Sequence, residues 1–191
     1  MAEQELNKKD YFFLSGITPT EPEWLWYPYI PRGKVTLILG DPGEGKSTFA
    51  LNLAAAVSKG ERFPDRTEHA IGRAVIYQNA EDGIADTIVP RLIKANANLG
   101  NIITMNESED TATVYSFVLS ELLRIYKPQL VILDPLQAYL GEHVDMHRAN
   151  EIRPIMHFLA RLAEISGAAI VLIGHLNKKG DMKSIYRALG S

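Results

Sequence analysis

Gly40-Asp41-Pro42-Gly43-Glu44-Gly45-Lys46-Ser47-Thr48 follows directly on the apolar run Val35-Thr36-Leu37-Ile38-Leu39, and this junction decides the fold. The stretch fits G-x-x-x-x-G-K-[ST] at every fixed position. Such a loop works when a strand delivers the chain to it and a helix leaves it, because backbone N–H groups and the helix N-terminus then converge on one anion. Residues 35–39 predict the strand and 47–58 the helix. Gly40, Gly43 and Gly45 let the backbone wrap a phosphate without Cβ clashes. Lys46 reaches the β and γ oxygens of a bound nucleotide, and the Ser47 hydroxyl is a ligand for Mg²⁺. A chance glycine-rich turn is the competing reading. The strand before, the helix after and the hydroxyl pair behind the lysine weigh against it, so residues 40–48 form the expected nucleotide-binding loop, with ATP and Mg²⁺ as its ligands.

Composition bounds what surrounds this loop. A chain of 191 residues has room for one α/β core and little for a second domain. Its 46% hydrophobic and 23% charged residues are those of a globular protein with a real core. The absence of cysteine removes disulfides, thiolate zinc sites and cysteine nucleophiles, and the five histidines do not fall in a metal-ligand spacing. No run approaches the ~18 apolar residues of a membrane span, and residues 1–10 lack the basic-then-apolar order of a signal peptide. The expectation is a cytoplasmic protein with no membrane partner. A net charge of −3 is not the footprint of a monomer that coats nucleic acid. Any DNA contact must be local, or created by assembly.

Upstream of the loop, Trp24-Leu25-Trp26-Tyr27 and Tyr29-Ile30 are interrupted by Pro19, Pro22, Pro28 and Pro31, a density that excludes a long helix. An extended arm over residues 1–30 is expected to lie along the core of 31–191, its aromatics filling pockets; the sharper alternative has Trp24 or Trp26 stacking on a base or a neighbouring subunit. Downstream, Phe49, Leu53 and Val57 form the inward stripe of the loop's helix, which Gly60 ends. The strand 74–78 leads to Asn79-Ala80-Glu81-Asp82-Gly83, followed by a helix through Ile84, Ile88, Leu92 and Ile93. Carboxylates at a strand's C-terminal end sit on the edge where open α/β sheets bind ligands. Glu81 or Asp82 could orient an attacking water. Glu81 is assigned to catalysis and Asp82 to capping the helix or supporting the site.

A short strand at 102–105 and a helix near 111–126 follow, with Val114, Val118, Leu122 and Ile125 at helical spacing as core. Leu130-Val131-Ile132-Leu133-Asp134 is a buried parallel strand ending in an acid, the form of a Walker B strand that presents a carboxylate to the Mg²⁺ shell. Alone it is weak, since many buried strands end in Asp. Paired with the loop at 40–48 it is strong. The connection 135–148 is longer than an ordinary βα loop. A helix at 149–166 follows, its stripe Ile152, Ile155, Met156, Leu159 and Leu162, with Pro154 in its first turn or kinking it. The run 168–174 then delivers His175 to the same edge, read as a γ-phosphate sensor over an ordinary strand-end histidine. Behind it Lys178, Lys179 and Lys183 make a second basic loop.

The order of phosphate loop, strand-end glutamate, Walker B aspartate and strand-end histidine resembles the RecA-like ATPases. Within them it looks most like the RepA-type branch of replicative helicases and similar modules of phages and mobile elements. The similarity covers about residues 24–191, and its marks are residues 31–40, Asn79 to Asp82, Asp134-Pro135 and Gly174 to Lys179. It implies a three-layer α/β RecA-like P-loop NTPase core with a mainly parallel sheet. It further implies a hexameric ring with ATP between subunits, Glu81 as the base, and the loops after Asp134 and His175 facing single-stranded DNA. Lys178, Lys179 and Lys183 are the candidate DNA-facing residues, and a primase or other replication protein is a candidate partner. Proteins of this class carry a further strand beside the loop's strand, on the side away from Walker B. This chain is expected to stop before it, truncated at the C-terminal end, leaving 35–39 as a sheet edge or covered by the arm or a partner chain. Arg187 is read as a surface arginine in preference to an arginine finger.

The expected activity is Mg²⁺-dependent ATP hydrolysis driving a helicase-type motor on single-stranded DNA. A loader, partition or recombination-mediator ATPase without unwinding is the alternative. A small-molecule P-loop kinase needs a lid with several arginines, and residues 135–148 contain only Arg148.

Overall fold

A strand covered by helices on both faces is buried along its whole length, and two segments meet that condition with a third just short of it. In the computed structural model, which describes residues 13–61, 63, 73–106, 113–141, 144 and 148–175, β4 (Val75–Asn79) and β6 (Leu130–Asp134) are buried at every position. β7 (Ala169–His175) is buried at all but its last. With β3 (Val35–Gly40) and β5 (Ile102–Ile103) they form a five-stranded parallel sheet in the order β3-β7-β6-β4-β5.

The pleat sends alternate side chains into two separate cores. Val75, Tyr77, Leu130, Ile132, Ala169 and Val171 join one cluster with α1 (Lys46–Lys59) and α2 (Val89–Lys94). Ile76, Val131, Leu133, Ile170 and Leu172 join the other with α3 (Phe117–Tyr126) and α4 (Ala149–Ser166). The result is the three-layer α/β core that the sequence predicts. No helix among the described residues is long and apolar enough to cross a membrane.

Local signals set the element ends. Gly60, at φ 76°, closes α1 with a Schellman pair: Glu61 N–H donates to Ala56 O at 2.9 Å and Gly60 N–H to Val57 O at 3.2 Å. Ser116 caps α3 by accepting from Val118 N–H at 3.1 Å.

Two local expectations, the arm and the α3 stripe, need correction, and two others gain detail. The arm is not simply extended: β1 (Trp24–Trp26) and β2 (Ile30–Pro31) pair as a short antiparallel hairpin, inserting Leu25 and Ile30 into the core. Trp26 stacks on Phe63 at 5.1 Å and Phe49 at 5.8 Å between ring centroids, and Trp24 meets Tyr27 edge-on at 5.2 Å. In α3 the buried residues are Leu119 and Leu123, while Val118 and Leu122 flank them and Ile125 is exposed. Val114 is core but lies in the turn before Ser116, so it does not share the helix's phase. The helix after Gly83 begins as a π turn at Ile84–Ile88, with Ile88 N–H donating to Gly83 O at 3.0 Å. Pro90 follows without an N–H for Asp86 O, which removes an α-type bond at that point. Pro154 lies inside α4, beyond its first turn.

Among the described residues β3 has β7 as its one partner strand, and Leu37 on it is exposed. The stretch 176–191 that would bear on a covering strand lies outside the described residues.

Candidate nucleotide site

Parallel register brings the strand ends to one edge: Gly40 pairs with His175 and Asn79 with Asp134. Chain segments far apart in sequence therefore meet where the phosphate loop turns into α1. Gly43 and Gly45 hold φ of 85° and 83°, values that a side chain would strain. A Cβ at Gly40 would collide with the Glu44 carboxylate, which folds back to accept from Asp41 N–H at 2.7 Å. The loop is thus braced by its own residues.

Lys46 and Asp134 are the buried charged side chains among the described residues, and both lie at this edge. Burying a charge is costly unless it is partnered, so their joint placement points to a site. Lys46 Nζ donates to Gly40 O at 2.9 Å and Asp41 O at 2.7 Å. Ser47 Oγ donates to Asp134 Oδ1 at 3.3 Å, joining the first turn of α1 to the end of β6. A hydroxyl and a carboxylate converging in this way are hard oxygen donors suited to Mg²⁺, which keeps several waters and shares its shell with phosphate oxygens.

Glu81 and His175 face one another at the other side of the edge, Oε1 to Nε2 at 3.7 Å, with side chains 57% and 33% exposed. His175 Nδ1 is buried without a hydrogen-bond partner among the described residues. Asp82 does not cap the following helix, whose N-terminal position is Gly83 with no side-chain cap. It pairs instead with Arg91 at 3.3 Å, and Arg91 also donates to Thr48 Oγ1 at 2.9 Å. The long guanidinium reaches both the loop's helix and the glutamate's loop, a pairing that pulls the Asp82 carboxylate away from the helix end. Lys178, Lys179, Lys183 and Arg187 lie outside the described residues.

Two further residues at this edge escape sequence reasoning. Tyr77, buried, donates its hydroxyl to Asp134 Oδ2 at 3.1 Å. Burial, the neighbouring Asp134 charge and the hydrogen bond to it push the Tyr77 phenol well above its usual range, so it remains a donor. Asn79 Oδ1 accepts from Glu81 N–H at 3.1 Å and Asp82 N–H at 2.7 Å. One signal was available: a tyrosine within a fully buried strand needs a partner for its hydroxyl.

A family model described as an AAA domain matches residues 3–181. The DNA repair protein RadA of Brucella abortus is 29% identical over 154 residues, covering 79% of this chain and 30% of the relative. RadA of Listeria monocytogenes is 26% identical over 152 residues, covering 78% and 29%. RadA of Bacillus subtilis is 23% identical over 155 residues, covering 80% and 30%. The chain spans about 30% of the length of these curated relatives.

Proposed function

This chain belongs to the AAA domain family, a RecA-like P-loop ATPase family, and from that premise we propose that it is an ATP-hydrolysing domain acting on DNA. The observation that carries the reading is the meeting of half-buried Ser47 with buried Asp134 at 3.3 Å, next to the buried Lys46 at the mouth of the phosphate loop. Lys46 exchanges its two loop carbonyls for the β and γ oxygens of ATP. Ser47 and Asp134 would hold Mg²⁺, which would supply charge neutralisation for the phosphates. Glu81 orients and accepts a proton from the water that attacks in line with the γ-phosphate. His175, whose ring carries a buried nitrogen unpartnered among the described residues, registers loss of the γ-phosphate.

In the finer reading the domain is a helicase-type motor of the RepA branch, hexameric in its full assembly, working on single-stranded DNA beside a primase or other replication protein. The second reading is a nucleotide-gated loader, partition or recombination-mediator ATPase that does not unwind, and the likeness to DNA repair proteins favours a role in repair over replication. ATP turnover measured with and without single-stranded DNA, together with strand separation on a forked duplex, decides between them. Stimulated turnover coupled to strand separation supports the motor, and stimulated turnover without separation supports the mediator. A rate indifferent to DNA sinks both.

A further inference from the structure

Glu81 leaves the sheet on a turn that is held from two directions. From the strand end, Asn79 Oδ1 accepts from Glu81 N–H at 3.1 Å and Asp82 N–H at 2.7 Å. From α2, Arg91 Nη1 donates to Asp82 Oδ2 at 3.3 Å and Arg91 Nη2 donates to Thr48 Oγ1 at 2.9 Å. Thr48 follows Ser47 in the first turn of α1, and Asp82 follows Glu81. One guanidinium therefore spans from the neighbour of the Ser47 hydroxyl to the neighbour of the Glu81 carboxylate. Its planar fork meets two acceptors at a set separation, which the point charge of a lysine ammonium does not reproduce. The π turn at Ile84–Ile88 bears on why Arg91 faces this way. One residue is about 100° of helical rotation, so the extra residue in that turn decides which side chain of α2 is turned toward Thr48. The ion pair is 37% exposed on both sides and adds little to stability. π turns are rare and gather at functional sites; one that aims an arginine at a bridge of little stabilising worth points to a role in the site.

Resting on the ATPase reading, we propose that Arg91 is a positioning residue: its guanidinium holds the Glu81 turn against the phosphate loop and so sets where Glu81 stands relative to bound phosphate. In-line attack depends on the separation of water and phosphorus, and a misplacement of about 1 Å caused by a change remote from the chemistry can cost about 100-fold in rate. The bridge constrains that separation through Asp82 on one side and Thr48 on the other. A cavity of about 340 Å³, lined in part by Thr48, Asn52, Arg91 and Lys94, opens beside the guanidinium. It gives a free guanidinium ion room to stand in for the side chain once that is shortened.

The test is single-turnover hydrolysis and Mg²⁺–ATP affinity on the same samples of the wild-type chain, Arg91→Ala, Arg91→Lys, Asp82→Ala and the Arg91→Ala/Asp82→Ala double variant, each checked for folding by its denaturation curve. Arg91→Ala should hydrolyse about 10–100-fold more slowly at unchanged affinity. Arg91→Lys, which keeps the charge and loses the fork, should be as slow. The double variant should lose less than the product of the single losses, because Arg91 and Asp82 act through one contact. Millimolar guanidinium chloride should restore part of the rate to Arg91→Ala, and ammonium chloride at equal ionic strength should not. A wild-type rate in Arg91→Ala or Arg91→Lys, losses that simply multiply, or a rate that guanidinium leaves unrestored overturns the proposal while leaving the ATPase reading intact. A loss confined to affinity overturns it too, and makes Arg91 a nucleotide contact. If the wild-type chain itself hydrolyses no ATP, the ATPase reading fails and this inference with it.

Discussion

Asp134 is 1% exposed and takes hydroxyl hydrogen bonds at 3.1 and 3.3 Å, whereas the Glu81 side chain is 57% exposed and meets His175 at 3.7 Å. The two acids stand at the ends of adjacent strands of one sheet, yet their surroundings differ throughout. The side-chain partners of Asp134 come from a buried strand, in Tyr77, and from the first turn of α1, in Ser47. Around Glu81 the chain has already left the sheet, and Asn79 holds its backbone while the side chain stays in solvent. On the proposed reading, the half of the site that would hold phosphate and metal is preorganised before ligand arrives. The half that would carry hydrolysis on that reading is held at its backbone by Asn79 and exposed at the Glu81 side chain.

The contrast can be broken by removing the buried cation. Lys46→Ala should weaken nucleotide affinity about 10–100-fold, the worth of one or more charge-assisted hydrogen bonds, as read by fluorescent ADP titration. An unchanged affinity would mean that the buried half does not hold phosphate.

A pH series sharpens the same contrast through Tyr77. Its folded phenol ionises above the unfolded value, so the unfolded chain loses that proton first as pH rises. The stability contributed is present below about pH 10 and is lost above it, with a slope of up to ~1.4 kcal/mol per pH unit. Chemical denaturation of the wild-type chain should therefore fall off more steeply above that pH than denaturation of Tyr77→Phe; equal slopes would contradict the burial argument.

The smallest effect on stability belongs to Arg91, whose pair with Asp82 is more than a third exposed on both sides. Arg91→Ala should change unfolding free energy by no more than about 1 kcal/mol. A larger loss in a denaturation curve would show that the bridge from Thr48 to Asp82 is structural cement for the site and not a surface pair.

What the sequence made legible follows from the same physics. The loop at 40–48, Asp134 and His175 each terminate a mainly apolar run, and a parallel sheet must bring such ends to one edge. Their meeting could be read from strand polarity alone. Tyr77 and Asp134 touch across 57 positions of chain, and Arg91 and Thr48 across 43. Those contacts depend on strand register and helix phase, which periodicity does not set. The misphased α3 stripe has the same origin, because Val114 continues the spacing of Val118 and Leu122 while standing outside the helix. The hairpin at Trp24–Pro31 was hidden for a different reason: its prolines rule out a helix but do not distinguish an extended arm from a short turn.

The separation of the two halves is tested most directly by measuring Mg²⁺–ATP affinity and single-turnover hydrolysis on the same samples of wild-type chain and Glu81→Gln. The account predicts equal affinity for the two, with hydrolysis slowed about 10²–10⁴-fold in the variant, the range for loss of a positioned general base. Hydrolysis by Glu81→Gln at the wild-type rate would contradict it and remove Glu81 from the chemistry.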